Sequence, residues 1–256
     1  SGIREFFDLV STTKNIISLG VGEPDFVTPW SIREEAIFSI EKGYTAYTSN
    51  QGMPELRTEL SQYIKNKYSV SYDSNDEILI TNGASEGVDL AMRVLLNPGD
   101  EVIVPVPSFV CYDPLIRLVG GNVVPVDTTV SQFIPQASAI CNAITKKTKA
   151  IILCYPNNPT GISIPQSVLS EIAALAEEHD LWVISDEIYS EILFSGSFIS
   201  FASLPNMKER TIVLNGFSKA FAMTGWRLGW MSGNASFIAN ACKVHQYSAM
   251  CCSTFA

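Results

Sequence analysis

Two kinds of hydrophobic pattern alternate along the chain. Runs of near-continuous apolar residues occur at Glu77–Thr81, Glu101–Pro105, Ala150–Tyr155, Leu181–Ser185 and Thr211–Asn215, and between them apolar residues recur every three or four positions. Within Ile151, Ile152, Leu153 and within Trp182, Val183, Ile184 every neighbour is apolar. Successive strand side chains point to opposite faces, so such runs predict strands buried on both sides, where a sheet wet on one face would alternate. Strand runs separated by helical patterns predict an α/β protein with a mainly parallel sheet covered by helices.

Helix punctuation is legible in several places. Ser31 and Glu34 predict a capping box ahead of Ile37 and Ile40, with Gly43 just past the end. Pro54 opens a helix through Leu56, Leu60 and Ile64, and Ser167 is read as the N-cap of a helix burying Val168, Ile172 and Leu175. Gly83-Ala84-Ser85 precedes a helix whose apolar face is Val88, Ala91, Met92 and Leu95, and Asn234 to Ala256 reads as a last helix. There is no internal repeat, low-complexity tract or long linker, which argues against a domain boundary inside the chain.

Bulk properties narrow the partners. The 256 residues are 46% hydrophobic and 17% charged, an ordinary globular composition. Seventeen basic against 26 acidic residues give −9, scattered and without a basic stripe, so nucleic acid is not an expected partner. A small phosphate-bearing ligand is compatible, since it needs only one or two cations and a few N–H groups. Six cysteines stand mostly among apolar neighbours with no C-x-x-C pair, as core thiols of a reducing compartment do. Apolar runs are too short for a bilayer and no signal segment opens the chain, so the expected location is cytoplasmic. The absence of Met before Ser1 and the apolar finish around Cys251, Cys252 and Phe255 predict that more protein precedes and follows.

Candidate chemistry centres on Asn215 to Gly229, which sets Lys219 among small and apolar neighbours, with Arg227 eight residues on. A lysine in such surroundings is costly to charge, and its neutral amine can attack an aldehyde. The same lysine could instead pack its stem and keep its ammonium in water. Gly83-Ala84-Ser85, between strand and helix, offers unpaired N–H groups to an anion, although such turns often serve packing alone. Asp186 ends an apolar run, where ligands gather in open α/β folds, but an acid there can also be a cap or a solvated loop residue.

Six segments, in order, resemble those of the class I aminotransferases: Leu19 to Phe26; Tyr47 to Gly52 with Pro54 to Arg57; Thr81 to Ser85; Pro156 to Gly161; Asp186 to Tyr189; and the lysine segment. The resemblance implies a three-layer α-β-α sandwich with a mainly parallel mixed sheet, the large domain of pyridoxal-phosphate (PLP) transferases. It also implies an N-terminal segment 1–30 contributing to the active site, a PLP-binding domain 31–256, and no C-terminal small domain within this chain. It assigns Lys219 to the cofactor aldehyde, Asp186 to the ring nitrogen, and Asn158 and Tyr189 to the phenolic oxygen. Gly83, Ala84, Ser85, Ser218 and Arg227 go to the phosphate, Phe109 to stacking on the ring, Tyr47 to the phosphate of a neighbouring subunit, and Gly22 to the substrate carboxylate. The implied reaction moves an amino group between an amino acid and a 2-oxo acid through a Schiff base on Lys219, in a homodimer. A PLP lyase or synthase of the same fold, or a non-catalytic PLP-binding module, stays open at this stage.

Three departures stand beside the matches. Gly216 occupies the position where the family often has a phosphate-binding serine, with Ser218 as the compensating candidate, and no residue matches the family's substrate-carboxylate arginine. His179 and His245 are read as uninvolved, with no second ligand spaced for a metal. Cys111 lacks a histidine placed to activate it, and is not read as a nucleophile.

Overall fold

The computed structural model describes Gly20 and residues 22–256. Leu19 and Val21 of the first matched segment, and most of the expected segment 1–30, lie outside the described residues.

Seven strands form one sheet: β1 (Ile78–Thr81), β2 (Glu101–Val106), β3 (Asn122–Asp127), β4 (Thr148–Cys154), β5 (Trp182–Asp186), β6 (Thr211–Gly216) and β7 (Gly229–Ser232). Their order is β1-β7-β6-β5-β4-β2-β3, parallel from β6 to β3, while β7 runs antiparallel to both β6 and β1. The five predicted strands are all present. The pattern reading missed two. β3 is an edge strand carrying Pro125, a residue an edge tolerates because no neighbour needs its N–H. β7 is four residues long and begins inside the lysine segment, where the turn signals dominate.

The helices are α1 (Trp30–Glu41), α2 (Pro54–Tyr68), α3 (Ala84–Leu95), α4 (Tyr112–Leu118), α5 (Ala137–Ala143), α6 (Gln166–Glu178), α7 (Phe217–Ala220) and α8 (Ala235–Ser248). On one face of the sheet, Val88 and Met92 of α3, Ile116 of α4, and Phe237 and Ile238 of α8 pack on Ile152, Ile184, Ile212 and Leu214. On the other, Ile140 of α5 and Leu169 and Ile172 of α6 meet Ile103, Ile151, Leu153 and Val183. A third cluster joins Leu60 and Ile64 of α2 to Ile78, Ile80 and Trp230. Consecutive residues of β4 thus enter opposite cores, as the unbroken apolar runs required.

Two predicted caps are corrected. α1 is preceded by Pro29 and α6 by Pro165, neither with a side-chain cap, and Ser31 and Ser167 lie inside the helices. Proline at these positions fixes the entry φ, which shifts each start to the residue before the serine. Pro54 does open α2, and Gly43 follows α1 with φ +75°. The last helix is shorter than expected: it is capped by Asn234, whose side chain accepts from the Phe237 N–H at 2.8 Å, and it ends at Ser248. No helix among the described residues is long and apolar enough to cross a membrane, and all six cysteines are free.

Candidate active site

The carboxyl ends of β5 and β6 and the start of α3 converge. β6 runs into α7, which carries Lys219 one turn beyond the sheet. The Lys219 ammonium donates to the Gly22 carbonyl and stands 5.8 Å from the centre of the Tyr189 ring. Burial pushes its pKa down; Glu23 opposes that shift and the Arg227 charge adds to it. Segment 22–28 lies across this loop: Thr224 donates to Glu23 at 2.9 Å, Thr28 donates to the Ala222 carbonyl at 2.6 Å, and the Trp226 indole donates to Thr28 at 3.0 Å.

Asp186 closes β5 and is almost wholly buried. Desolvation raises its carboxyl to about 6, moderated by hydrogen bonds from the Tyr112 hydroxyl at 2.7 Å and the Ile188 N–H at 3.3 Å. Tyr112 carried no signal in the sequence, because only the packing of α4 on the sheet brings it there. Phe109, edge-on to Tyr112 with centroids 5.8 Å apart, sits at the same end of β2. Asn158 donates to the Tyr189 hydroxyl at 3.1 Å, which leaves that phenol's own proton for another acceptor.

The turn before α3 is pinned from below. Gly83 has φ +77°, and a Cβ there would fall 2.5 Å from the Arg227 guanidinium; a Cβ on Gly229 would fall 2.7 Å from both the Gly83 carbonyl carbon and the Ala84 nitrogen. Glycine at both positions therefore lets guanidinium and backbone close on the turn. Within it, Asn82 N–H goes to Glu86 and Gly83 N–H to Thr81, while the N–H groups of Ala84 and Ser85 have no acceptor among the described residues. Ser218, one residue from Lys219, is buried. Gly216 lies opposite Gly229 in the ladder, and a Cβ there would meet the Gly229 Cα and Leu228 oxygen at 3.1 Å, so this close strand approach disfavours a serine at 216.

Tyr47 is 78% exposed, and its hydroxyl has no hydrogen bond among the described residues. His245, expected to be uninvolved, is fully buried with Nδ1 2.9 Å from Glu86 Oε1, and Cys252 brings a third ligand-type atom to within 4.8 Å of both. Sequence spacing did not signal this cluster, since Glu86 lies 159 residues before His245 and Cys252 follows it with no metal-ligand motif between them. The two oxygens of Glu86 are nevertheless already engaged, by His245 and by Asn82. Exposed His179 caps α6, and burial raises the Cys111 thiol to about 12, which removes it as a nucleophile.

These donors fit PLP group by group: free N–H groups, a guanidinium and a hydroxyl for a phosphate, a buried acid for a ring nitrogen, a phenol–amide pair for a phenolic oxygen, and a half-buried amine for an aldehyde. The sequence model for "Aminotransferase class I and II" matches residues 14–256. The chain is 51% identical over its full length to the putative aminotransferase YugH of Bacillus subtilis, covering 67% of that protein. It is 42% identical over its full length to the aspartate aminotransferase of Pyrococcus abyssi, covering 66%. Among solved structures, Pyrococcus protein-A1 superposes over all of this chain with a TM-score of 0.96 at 41% identity, and the aspartate aminotransferase of Thermus thermophilus with maleate over 99% with 0.94 at 36%, the chain covering 66% of each. The chain spans about two thirds of the length of these relatives. By sequence and by fold it belongs to the class I and II aminotransferases, a family that works with PLP.

Proposed function

We propose that the whole protein is an aminotransferase exchanging an amino group between an amino acid and a 2-oxo acid, with Lys219 as its cofactor lysine. When bound, PLP supplies an aldehyde that captures amines and a ring that withdraws electrons from the substrate α-carbon. The convergence of a half-buried amine, a buried acid and an anion-ready helix start at one end of the sheet carries this reading.

The residue roles follow from their surroundings. Lys219 Nζ, with its charge disfavoured by burial, is a competent base for the α-carbon proton and returns that proton on the other side of the exchange. Asp186, desolvated and steadied by Tyr112, gains a countercharge from a protonated ring nitrogen, which favours keeping that nitrogen protonated. Ala84, Ser85, Ser218 and Arg227 hold the phosphate, Gly83 allows their approach, Phe109 covers the ring, Asn158 and Tyr189 orient the phenolic oxygen, and the Gly22 backbone borders the substrate. The names of the relatives favour this activity over a lyase.

We infer further a cytoplasmic homodimer in which Tyr47 reaches the partner's phosphate, and a PLP-binding domain 31–256 with the preceding segment over the site. The exposure of Tyr47 and the contacts of Gly22, Glu23 and Thr28 support this. The direct test is Lys219→Ala in the full-length protein. It should lose the cofactor absorbance band that borohydride fixes to the wild-type chain, and its amino transfer to 2-oxoglutarate should fall by at least about 10²-fold. Retention of the borohydride-fixed band in the variant would refute the assignment.

A further inference from the structure

Behind the phosphate turn lies a buried pair that the chemistry above does not use. Glu86 is the third residue of α3, and its Oε2 accepts from the Asn82 backbone N–H at 2.5 Å and from the Asn82 amide at 3.1 Å. The carboxylate thus reaches back past the N-cap, Gly83, to the residue before it, one position beyond the reach of a capping box. It decides which N–H groups of the turn remain: Asn82 is committed to Glu86 and Gly83 to the Thr81 oxygen at 2.8 Å, so Ala84 and Ser85 are left to bind an anion. The other carboxylate oxygen faces the His245 Nδ1 at 2.9 Å, with the histidine side chain fully buried and the Glu86 side chain 14% exposed. Desolvation works to raise the Glu86 carboxyl, but hydrogen bonds from His245 and Asn82 carry it below its ordinary value. A carboxylate one turn behind an anion site repels the anion unless a donor offsets its charge. His245 is the donor on the side away from the turn, and its neighbour Gln246 accepts from Asn50 at 3.1 Å, which ties the end of α8 to the segment bearing Tyr47.

We propose that His245 is a positioning residue for the cofactor phosphate: by holding Glu86 on Asn82 it fixes turn 82–85 with the Ala84 and Ser85 N–H groups free for the anion. This rests on the aminotransferase reading, and it predicts selectivity, because the pair touches nothing assigned to the ring or the aldehyde.

The experiment is a pair of titrations of the full-length apoprotein, with PLP and with pyridoxal, which lacks the phosphate. His245→Leu should raise the Kd for PLP by about tenfold or more, the scale of one charge-assisted hydrogen bond, and leave that for pyridoxal within about twofold. His245→Asn, whose amide N–H stands near the position of Nδ1, should restore most of the PLP affinity. Where His245→Leu fails to fold, Glu86→Gln serves, since an amide cannot accept on both sides, and it should show the same selective loss. Unchanged PLP binding in a folded variant, or equal weakening of PLP and pyridoxal without rescue by asparagine, overturns the proposal. A wild-type protein that binds PLP without Lys219 as its attachment point would instead refute the aminotransferase reading and take this inference with it.

Discussion

Burial raises the Asp186 carboxyl to about 6 and that of its neighbour Glu187 to about 7. Glu187 meets desolvation with hydrogen bonds inside the fold, from Ser185 and Ser200 at 2.9 Å and the Phe201 N–H at 3.2 Å. Among the described residues Asp186 has only Tyr112 and Ile188, and a cationic ring nitrogen is the partner that would relieve it. The direction of linkage follows. Between its unfolded value near 3.9 and about 6 the folded state binds a proton that the unfolded chain does not, so the Asp186 contribution to stability is greatest below that window and falls as pH rises through it. Asp186→Asn removes the term. Urea unfolding of the apoproteins should give similar stabilities near pH 4, whereas near pH 7.5 the variant should be the more stable by up to about 3 kcal/mol. The same variant should bind PLP more weakly. A stability gap that does not widen with pH would contradict the desolvation account. At this scale the sequence was informative where chemistry is rare: an amine among apolar residues and an acid closing a hydrophobic run stand out unaided. Tyr112 and the Glu86–His245 pair did not, since their meaning comes from partners 74 and 159 residues away.

The strands β6 and β7 and the turn before α3 are held together by what glycine lacks. Gly216 faces Gly229 across the ladder, and Gly229 in turn supports the Gly83–Ala84 peptide. Gly229→Ala would force backbone against backbone at 2.7 Å, with no flexible side chain to yield. It should cost about 1–3 kcal/mol by denaturant unfolding and also weaken PLP binding, because the strain falls on the turn proposed to hold the phosphate. Gly225, with open space around it, is the control, and Gly225→Ala should leave stability within about 0.5 kcal/mol. Equal effects of the two substitutions would remove the support role of Gly229. The double burial of β4 and β5 was readable as unbroken apolar runs. The edge strand β3 was not, because Pro125 argues against a strand everywhere except at an edge, and edge position is a property of the sheet. The serine caps failed for a related reason: a hydroxyl can cap only if the chain enters the helix at that residue, and Pro29 and Pro165 set the entry earlier.

Among the described helices, α1 lacks a core. α1 buries no residue, and Trp30, Ile37, Phe38 and Ile40 are each about half exposed, while Phe26, Val27 and Tyr47 flank it in the open. Twelve residues make a marginal helix in isolation, and its stability has to come from packing. Large apolar residues left exposed in this number along one short segment suit an interaction surface. If a second copy covers it, as the proposed reach of Tyr47 to a partner's phosphate requires, oligomeric state and cofactor affinity are linked. Sedimentation velocity on the full-length protein should then give a dimer mass. The double substitution Ile37→Asp with Ile40→Asp should shift it to monomer while changing monomer stability by only about 0.5 kcal/mol, as for exposed positions in general. Dilution through the dimer dissociation range should weaken PLP binding in the wild type, because each phosphate loses the partner's tyrosine. Tyr47→Phe should bind PLP more weakly than wild type in the dimer and should lose that difference in the monomeric background, where no partner tyrosine is present to remove. A wild-type protein that sediments as a monomer, or a PLP affinity independent of protein concentration across that range, would separate the exposed face of α1 from the cofactor site and defeat the dimer assignment.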